Sequence, residues 1–351
     1  MYEVKQISEF QLPAPVVCCD PYGNGHINDT YLVEDARGNR YILQRINQNV
    51  FKDCEGVMTN IQLVTRHISR PDRHNAAQEV LTLVPCHDGM FWHVDGLGEY
   101  WRLYHFTRNS ICFEQVDSLE VFRESGVAFG NFINQLADFD AAQLTETIPD
   151  FHNTPRRYAA LREAVAEDAF DRAKTARREI AFALAREEFA ATLINLQKSG
   201  KMPIRVTHND AKLNNVLFCK DTRAHLYVID LDTTMPGLAV TDFGDSIRFG
   251  AATGAEDERD LDKVNFSIEH YRAYKDGFLT ACTSLTPCET EHLPHGAKMM
   301  ALECGVRFLT DHLNGDTYFK IGREGHNLDR CRTQFKLVAD MEKQWDAMRS
   351  S

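Results

Sequence analysis

Residues 206–218 read VTHNDAKLNNVLF, and this stretch decides the fold of the chain. It contains the pattern H-x-D-x-x-x-x-N, which begins at His208, has its carboxylate at Asp210 and ends at Asn215. Two short β-type runs follow, separated by a turn, and the second run ends at Asp230. Because a hairpin of this size brings its two ends together, we predict that Asn215 and Asp230 lie side by side, with Asp210 on the loop that enters the hairpin.

This set of oxygen donors is what phosphoryl transfer requires. We predict that Asn215 and Asp230 hold Mg²⁺ on the phosphates of ATP, and that Asp210 accepts or orients the proton of the attacking hydroxyl. Asp232 is either a second metal ligand or a solvated side chain. His208 is expected to hold the loop by hydrogen bonds and not to carry a proton. The competing interpretation is that these Asp and Asn residues only form turns.

A second candidate for the metal ligand is the sequence Asp-Phe-Gly at 242–244, which spells the metal-binding motif of protein kinases. Asp242 lies much further along the chain from Asn215 than Asp230 does, too far for a tight hairpin. We therefore assign the metal to Asp230. We expect Asp242 to support the catalytic loop by accepting hydrogen bonds from backbone N–H groups.

The first hundred residues have the pattern of three antiparallel strands, a helix near 55–68 and two further strands near 79–84 and 101–106. After residue 106 the chain becomes mainly helical, with helices expected over 155–198, 265–283, 295–313 and 327–347. We predict a mainly β part over 1–106 that covers the nucleotide. A larger helical part over 107–351 is predicted to carry the catalytic loop, the metal site and the acceptor site.

The composition excludes several other classes of protein. The 351 residues include 39 basic and 51 acidic side chains, a net charge of −12, which argues against nucleic-acid binding. The ten cysteines include no C-x-x-C pair, so we expect reduced thiols in a cytoplasmic protein and no zinc ribbon. No secretory signal or membrane span is expected. The absence of G-x-x-x-x-G-K-[ST] argues against a P-loop kinase.

These motifs resemble the aminoglycoside phosphotransferase family, also called the choline-kinase-like family of small-molecule kinases. The resemblance implies an α+β, protein-kinase-like fold with two lobes and ATP as co-substrate. A closer resemblance is to the bacterial N-acetylhexosamine 1-kinases. It rests on the runs PYGNGHIN at 21–28, YILQ at 41–44, FHNTP at 151–155, HNDAKLNN at 208–215, DLDT at 230–233, DFGDSIRFG at 242–250 and ECGVRFL at 303–309.

The closer resemblance implies transfer of the ATP γ-phosphoryl group to the anomeric hydroxyl of GlcNAc or GalNAc. One alternative is another kinase of this fold, acting on a different sugar, an amino alcohol or an aminoglycoside. The other is a nucleotide-binding pseudokinase without catalysis, which the intact set of Asp210, Asn215 and Asp230 argues against.

On the nucleotide side, the resemblance favours a glycine-containing lid over an ordinary hairpin turn. This segment contains Gly23, Asn24 and Gly25. The third strand carries Gln44 where protein kinases have a lysine that pairs with the phosphates, so Gln44 is read as a variant of phosphate binding. Arg45 is the nearest cation, but strand alternation points it to the opposite face. The adenine is expected at the junction of the two lobes near Tyr104 to Thr107, where free backbone groups follow the last strand, with Tyr104, His105 and Phe106 as the candidate residues.

On the acceptor side, Glu303, Arg307 and Asp311 recur at i, i+4 and i+8 on an otherwise apolar helix. They form either a solvent-facing salt ladder or the polar wall of a sugar pocket. The resemblance favours the pocket, and we expect Arg307 to be held between the two carboxylates. His26, Phe249 and Tyr318 are further candidates for sugar contacts, although each could equally belong to the core.

Overall fold

The structure is a computed structural model that describes residues 5–23, 27–71 and 80–351. It separates into two compact units. The first comprises 1–111, 142–149 and 217–235, and the second comprises 112–141, 150–216 and 236–351. The end of the first segment lies close to the predicted boundary at 106. The segment 217–235, which the sequence was expected to place in the larger helical part, clusters instead with the first unit.

Strands dominate the first unit, and the short strand Arg205–Thr207 belongs to the second. In chain order the strands are β1 (Val16–Pro21), β2 (Asp29–Asp35), β3 (Arg40–Arg45), β4 (His93–Val94), β5 (Tyr100–His105), β6 (Ser110–Ile111), β7 (Arg205–Thr207), β8 (Val216–Cys219), β9 (His225–Val228) and β10 (Met235–Gly237). An antiparallel sheet has the order β1-β2-β3-β5-β4, and its inner face packs on a core that includes Phe10, Leu43 and Leu103. The strand predicted near 79–84 is only an isolated bridge at Leu83 in the described residues, and residue 79 lies outside them.

The hairpin predicted after the catalytic loop is present. Strand β8 pairs with β9 and, on its other edge, with β6 in the order β6-β8-β9. The amide of Cys219 donates to the carbonyl of Ala224, and that of Arg223 donates to the carbonyl of Cys219, which closes the turn. Asn215 therefore immediately precedes the first strand of the hairpin, and Asp230 follows soon after the second. Strands β7 and β10 form a separate two-stranded sheet.

Helices make up most of the second unit, and the helix Cys54–Ile68 belongs to the first. In chain order the α-helices are α1 (Cys54–Ile68), α2 (Leu119–Gln135), α3 (Thr154–Glu167), α4 (Arg177–Leu184), α5 (Glu187–Ala190), α6 (Thr192–Lys198), α7 (Ala239–Gly250), α8 (Ile268–Ala281), α9 (Pro287–Glu291), α10 (Leu293–Leu313), α11 (His326–Lys343) and α12 (Trp345–Ser350). Short 3-10 helices lie at Lys5–Glu9, Ala141–Gln143, Leu213–Asn215, Leu231–Thr233 and Leu261–Lys263.

The region 155–198 differs from the expected one or two long helices. It is divided into α3, α4, α5 and α6. Helix α3 ends at Asp168, whose φ of 39° puts it in the left-handed region and turns the chain out of the helix. A run rich in Ala, Arg, Glu and Leu has high helix propensity, but propensity alone does not show where tertiary packing interrupts a helix.

Close packing of helices in the second unit fixes the position of α7, which carries Asp242. Helix α2 packs against α8, and α7 packs against α10. At the α7–α10 crossing two glycines face each other's backbones: a Cβ on Gly244 would lie 2.2 Å from the carbonyl oxygen of Gly296. Only residues without a side chain allow the two helices this separation. The Asp-Phe-Gly sequence therefore lies inside a buried helix, α7. The sequence analysis did not predict this helix.

Candidate active site

The backbone of the catalytic loop is held by Asp242, which is 0% exposed. One carboxylate oxygen accepts the N–H of His208 at 2.7 Å, and the other accepts the N–H of Asn209 at 2.8 Å. Burial raises the pKa of Asp242 to about 6, although the nearby His208 and these two backbone N–H groups oppose the increase. These are the contacts expected of a residue that supports the loop, and its contribution to catalysis stays a prediction.

The same loop is held from its carbonyl side by His152, which sequence reasoning missed. Nε2 of His152 lies 3.1 Å from the carbonyl oxygen of Asn209, and Nδ1 lies 2.9 Å from Oε1 of Glu303. A carbonyl oxygen can only accept, so Nε2 carries a proton. Burial acts to lower the pKa of His152, but the hydrogen bond and charge of Glu303, with the charge of Asp245, leave it raised. The raised pKa favours the protonated ring, in which both N–H groups have acceptors.

Asp210 lies one residue beyond this clamped segment, and its side chain is 30% exposed. Its Oδ1 accepts from Nζ of Lys212 at 2.9 Å, and its Oδ2 accepts from Nδ2 of Asn215 at 3.1 Å. Burial acts to raise the pKa of Asp210, but the charge and hydrogen bond of Lys212, with His208 and Asn215, leave it lowered. Asp210 is therefore an ionised, solvent-accessible carboxylate at neutral pH.

Asn215 presents its two amide atoms differently. Nδ2 donates to both the carbonyl oxygen of Asp210, at 2.8 Å, and its carboxylate. This fixes the amide so that Oδ1 points away from Asp210. An amide oxygen in this orientation has the chemistry that a Mg²⁺ ligand needs.

The second predicted metal residue, Asp230, lies in the first unit at the end of the β8–β9 hairpin. Its φ of 60° and ψ of 57° place a residue other than glycine in the left-handed region. Such backbone conformations are concentrated at functional sites, where the surrounding structure holds them. The 3-10 turn Leu231–Thr233 follows directly.

Asp232, the other metal candidate in this turn, already has a donor for each carboxylate oxygen. Nη1 of Arg102 donates to Oδ1 at 2.5 Å, and Nδ2 of Asn28 donates to Oδ2 at 2.7 Å. Asp232 is 3% exposed, so the prediction of a solvated side chain is wrong. These partners favour a role in anchoring the turn over a role as metal ligand.

The predicted nucleotide residues lie in or beside the five-stranded sheet. Gly23 follows β1 with φ of 77°, whereas Asn24, Gly25 and His26 lie outside the described residues. Tyr104 and His105 belong to β5, with Phe106 after them.

The expectation of free backbone groups at this position is wrong for two amides. The N–H of His105 donates to the carbonyl oxygen of Thr82, and that of Phe106 donates to the carbonyl oxygen of Arg40. Neither amide is therefore free for a nucleotide base, and the binding role of Tyr104, His105 and Phe106 stays a prediction.

The predicted acceptor residues of α10 divide into two groups. Glu303 is 1% exposed, and it bonds to His152 and, through its second oxygen, to the hydroxyl of Thr154. Asp311 is 5% exposed. It accepts the backbone N–H groups of residues 317, 318 and 319 and the side-chain amide of Asn327. Glu303 and Asp311 are therefore saturated by internal donors, so the prediction that they contact the sugar is not supported.

Arg307 is not held between these two carboxylates, and that expectation is wrong. Its guanidinium lies 5.6 Å from the ring centre of Phe151, 5.9 Å from that of Tyr318 and 5.4 Å from that of Phe319. Within the part of the chain that the structure describes, Arg307 forms no ion pair. The side chain of Tyr318 is 69% exposed, so this pair of residues stays accessible.

Phe249, the remaining acceptor candidate, lines a cavity of about 490 Å³ in the second unit. Arg248, Glu256 and His270 contribute to the same wall. Nε of Arg248 donates to Asp245 at 2.8 Å, and Nη1 donates to Glu256 at 2.9 Å. The guanidinium in the cavity wall is therefore held by two carboxylates, which compensate its charge.

Two searches of the described ranges bear on cofactors and location. Over residues 5–23, 27–71 and 80–351, no three His, Cys, Asp or Glu side chains are grouped to hold a metal ion. In those same ranges, no helix is both long and apolar enough to cross a membrane.

Comparison with known families identifies the family of the chain. Residues 19–276 match the model of the phosphotransferase enzyme family, which is more than half of the chain. The chain therefore belongs to this family, the aminoglycoside phosphotransferases and their relatives. It is a small-molecule phosphotransferase that acts on a hydroxyl acceptor and uses ATP as co-substrate.

Solved structures share the fold at low sequence identity. A microcompartment-associated aminopropanol kinase matches with a TM-score of 0.62 at 15% identity, over 98% of this chain and 97% of the other. The amicoumacin kinase hAmiN, in complex with AMP-PNP, Ca²⁺ and Ami, matches with a TM-score of 0.62 at 12% identity, over 95% and 92%. A choline kinase from Cryptosporidium parvum Iowa II matches with a TM-score of 0.59 at 13% identity, over 94% and 90%. The fold is therefore α+β and protein-kinase-like.

Proposed function

We propose that this protein is an ATP-dependent kinase that phosphorylates the anomeric C1 hydroxyl of N-acetylhexosamines, GlcNAc or GalNAc, to give the sugar 1-phosphate. Membership of the phosphotransferase family supports the reaction class. The runs that resemble the N-acetylhexosamine 1-kinases, including FHNTP at 151–155 and ECGVRFL at 303–309, support the acceptor.

The class of acceptor is argued from the charge of Arg307 and the aromatic rings around it, those of Phe151, Tyr318 and Phe319. We call this group of residues the wall around Arg307. An amino alcohol or an aminoglycoside is a cation, and its pocket would present carboxylates or open aromatic faces to it. Here Glu303 and Asp311 are buried and saturated, and the aromatic rings of this wall already face a guanidinium. A guanidinium donates well to sugar hydroxyls and to an amide carbonyl oxygen. The wall therefore favours a neutral, hydroxyl-rich acceptor.

The proposed chemistry at the acceptor depends on Asp210. Its lowered pKa keeps it ionised at neutral pH, so it can accept a hydrogen bond from the attacking hydroxyl and take the proton as the bond to phosphorus forms. Lys212, bonded to Oδ1, holds the carboxylate in place and compensates its charge. An ionised catalytic carboxylate of this kind argues against the pseudokinase alternative.

The residues predicted to hold Mg²⁺ have suitable donors. The Oδ1 orientation of Asn215 and the carboxylate of Asp230 offer hard oxygen atoms. The lack of a larger group of ligands in the described ranges is compatible with Mg²⁺, which protein sites bind through one or two carboxylates plus substrate phosphates. When bound, the ion would neutralise charge on the transferred phosphoryl group. We propose Asn215 and Asp230 for this role.

The test is a panel of acceptors incubated with ATP and Mg²⁺, with the products analysed by ³¹P NMR. The panel contains GlcNAc, GalNAc, glucose, galactose, choline, ethanolamine and an aminoglycoside. Phosphate on C1 couples to a single sugar proton, whereas phosphate on C6 couples to two, so the splitting identifies the position. Asp210→Asn is the inactive reference. Asp262→Asn is the matched control, since it makes the same change of carboxylate to carboxamide at an exposed position. Phosphorylation of choline, ethanolamine or the aminoglycoside, without sugar 1-phosphate, would overturn the proposal.

A further inference from the structure

The first unit contains a buried cation that sequence reasoning overlooked, on the strand next to Gln44. Strands β3 and β5 are antiparallel neighbours, and Gln44 and Arg102 are direct register partners. Oε1 of Gln44 accepts from Nε of Arg102 at 3.0 Å and from Nη2 at 2.8 Å. Nε2 of Gln44 donates to the hydroxyl of Thr30 at 3.1 Å. Gln44 is therefore bonded within the sheet, and its oxygen is the anchor of a guanidinium.

The other edge of this guanidinium contacts the turn that follows the hairpin. Nη1 of Arg102 bonds to Asp232, and the two side chains are 1% and 3% exposed. Burial acts to lower the pKa of Arg102, but the charges of Asp232 and Asp230, among others, leave it raised, so the group stays a cation. Arg102 thus connects the centre of the sheet to the turn that carries Asp230.

A buried ion pair contributes little net stability compared with apolar side chains of the same size, because both charges lose their hydration. Its position is therefore more informative than its energy. The pair neutralises Asp232, and the charge of Arg102 also acts on Asp230 in the same turn. The pair also fixes Asp232, two positions after Asp230. Asp230 has a left-handed backbone conformation, which the surrounding structure must support.

We propose that Arg102 takes over, from the neighbouring strand, the charge that protein kinases place on a third-strand lysine. Arg102 is a positioning residue for the nucleotide. Because it is buried, it acts through its charge and through Asp232, which holds the turn of Asp230, and it does not touch the phosphates. Gln44 is the residue that orients it. This inference rests on the proposed function only for the use of ATP and is independent of the acceptor.

The test measures nucleotide binding without any acceptor. Isothermal titration calorimetry with AMP-PNP and Mg²⁺ is performed on the full chain and on four variants: Arg102→Gln, Arg102→Lys, Gln44→Lys/Arg102→Gln and Arg45→Gln. The double variant returns the cation to the third strand, at the register partner of position 102. Arg45→Gln is the matched control, since Arg45 adjoins Gln44 but is 42% exposed and pairs with Asp29.

We expect Arg102→Gln to weaken binding at least about tenfold and Arg45→Gln by less than about twofold. The double variant should return to within about threefold of the wild type, with Arg102→Lys between the two. In steady-state kinetics with the best acceptor, Arg102→Lys should raise KM for MgATP and leave KM for the acceptor unchanged. A purely structural ion pair would lower Tm without separating the two KM values.

Wild-type affinity in a folded Arg102→Gln protein would overturn the inference. If that variant does not fold, the double variant and Arg102→Lys decide: a double variant that folds but binds at least about tenfold more weakly than the wild type also overturns it. Failure of the sugar panel has no effect on these measurements. A chain that phosphorylates no sugar but loses AMP-PNP affinity on Arg102→Gln would refute the acceptor and leave the role of Arg102 intact.

Discussion

The ion pair between His152 and Glu303 should control both the stability of the second unit and the rate of catalysis. In Glu303→Gln the buried imidazolium loses its counter-ion and is expected to release a proton. A neutral ring has only one N–H, so Nε2 can donate to the carbonyl oxygen of Asn209 only if Nδ1 accepts from the amide of the new glutamine. The ion pair is then replaced by a weaker neutral hydrogen bond, and the support of the segment next to Asp210 is weakened.

The magnitude follows from the burial of the pair, 12% and 1% exposed. Removing one partner of a buried ion pair costs about 3–5 kcal/mol when the other charge stays buried, and about 1–3 kcal/mol when, as expected here, the ring releases its proton. At about 2–4 °C per kcal/mol for domains of 150–250 residues, the fall in Tm is roughly 2–12 °C. A shift of about 1 Å in a positioning group can cost on the order of a hundredfold in rate, so kcat should fall about tenfold to a hundredfold. KM for MgATP should change by less than about threefold, because the pair supports the segment next to Asp210 and bonds to none of the residues predicted to bind the nucleotide.

The pH dependence gives an independent signature. His152 has a raised pKa in the fold, so its stabilisation is complete below about pH 6.5 and is lost as pH rises through the folded pKa. Burial would raise the pKa of Glu303, but His152 and Thr154 leave it lowered, so its stabilisation is lost as pH falls below about 4.3. The Tm difference between wild type and Glu303→Gln should therefore be largest between about pH 4.3 and 6.5. Asp242 and Asp245 also lie near the ring of His152. Both are present in the wild type and in Glu303→Gln, so they do not account for the difference in Tm.

The assay is differential scanning fluorimetry from pH 4 to 9 together with steady-state kinetics. Asp257→Asn is the matched control: it breaks another histidine–carboxylate pair, at 3.0 Å to His326, in which the carboxylate is 46% exposed. Such an exposed pair is worth under about 1 kcal/mol. If Glu303→Gln keeps the wild-type kcat, or if its Tm difference is constant across this pH range, the ion pair does not hold the catalytic loop.

Four further substitutions test other parts of the site. Asp210→Asn should lower kcat by orders of magnitude with little change in the affinity for MgATP; a variant that keeps more than about a tenth of wild-type kcat would exclude Asp210 as the base. Asp242→Asn replaces an acceptor by an N–H group facing a backbone N–H, so Tm should fall by an amount equivalent to about 1–3 kcal/mol with partial loss of kcat; an unchanged Tm would show that the support is dispensable. Gly237→Ala should lower Tm, because a Cβ there would lie 2.2 Å from the hydroxyl oxygen of Thr207; a wild-type melting curve would show that the loop yields at little cost. Arg307→Ala should raise KM for the sugar about tenfold to a hundredfold and leave KM for ATP unchanged; an unchanged sugar KM in a folded protein would remove α10 from the acceptor site.

The sequence was sufficient for the parts of the site that are local in the chain. The H-x-D-x-x-x-x-N pattern and the hairpin after it depend on neighbouring residues and turn chemistry, and both are found where they were predicted. The supporting contacts of Asp242 were also anticipated, because Asp242 lies too far along the chain from Asn215 for a tight hairpin and so was assigned to the loop instead of the metal. Lys212 lies within the same motif and was overlooked, although its position two residues after Asp210 was a visible signal.

The partners that join distant segments could not be predicted in this way. The i, i+4, i+8 spacing of Glu303, Arg307 and Asp311 shows that they share a face of α10, but α10 is buried on most of its circumference, so the spacing does not separate core from surface. Their real partners, such as His152, lie far away in sequence. Arg102 was missed for the same reason: the cation was sought on the strand of Gln44, whereas strand pairing supplies it from the next strand.

The backbone N–H and carbonyl groups of the catalytic loop explain why side chains from distant segments bond to it. Asp242 accepts the N–H groups of His208 and Asn209, and His152 donates to the carbonyl oxygen of Asn209. The N–H of Asp210 faces Nδ1 of His208, and its carbonyl oxygen accepts the amide of Asn215. The segment has no regular secondary structure, so its polar groups need these partners when buried. Since phosphoryl transfer depends mainly on positioning, a loop fixed by side chains from α7 and from the segment preceding α3 can hold the Asp210 carboxylate within the tolerance that the reaction needs.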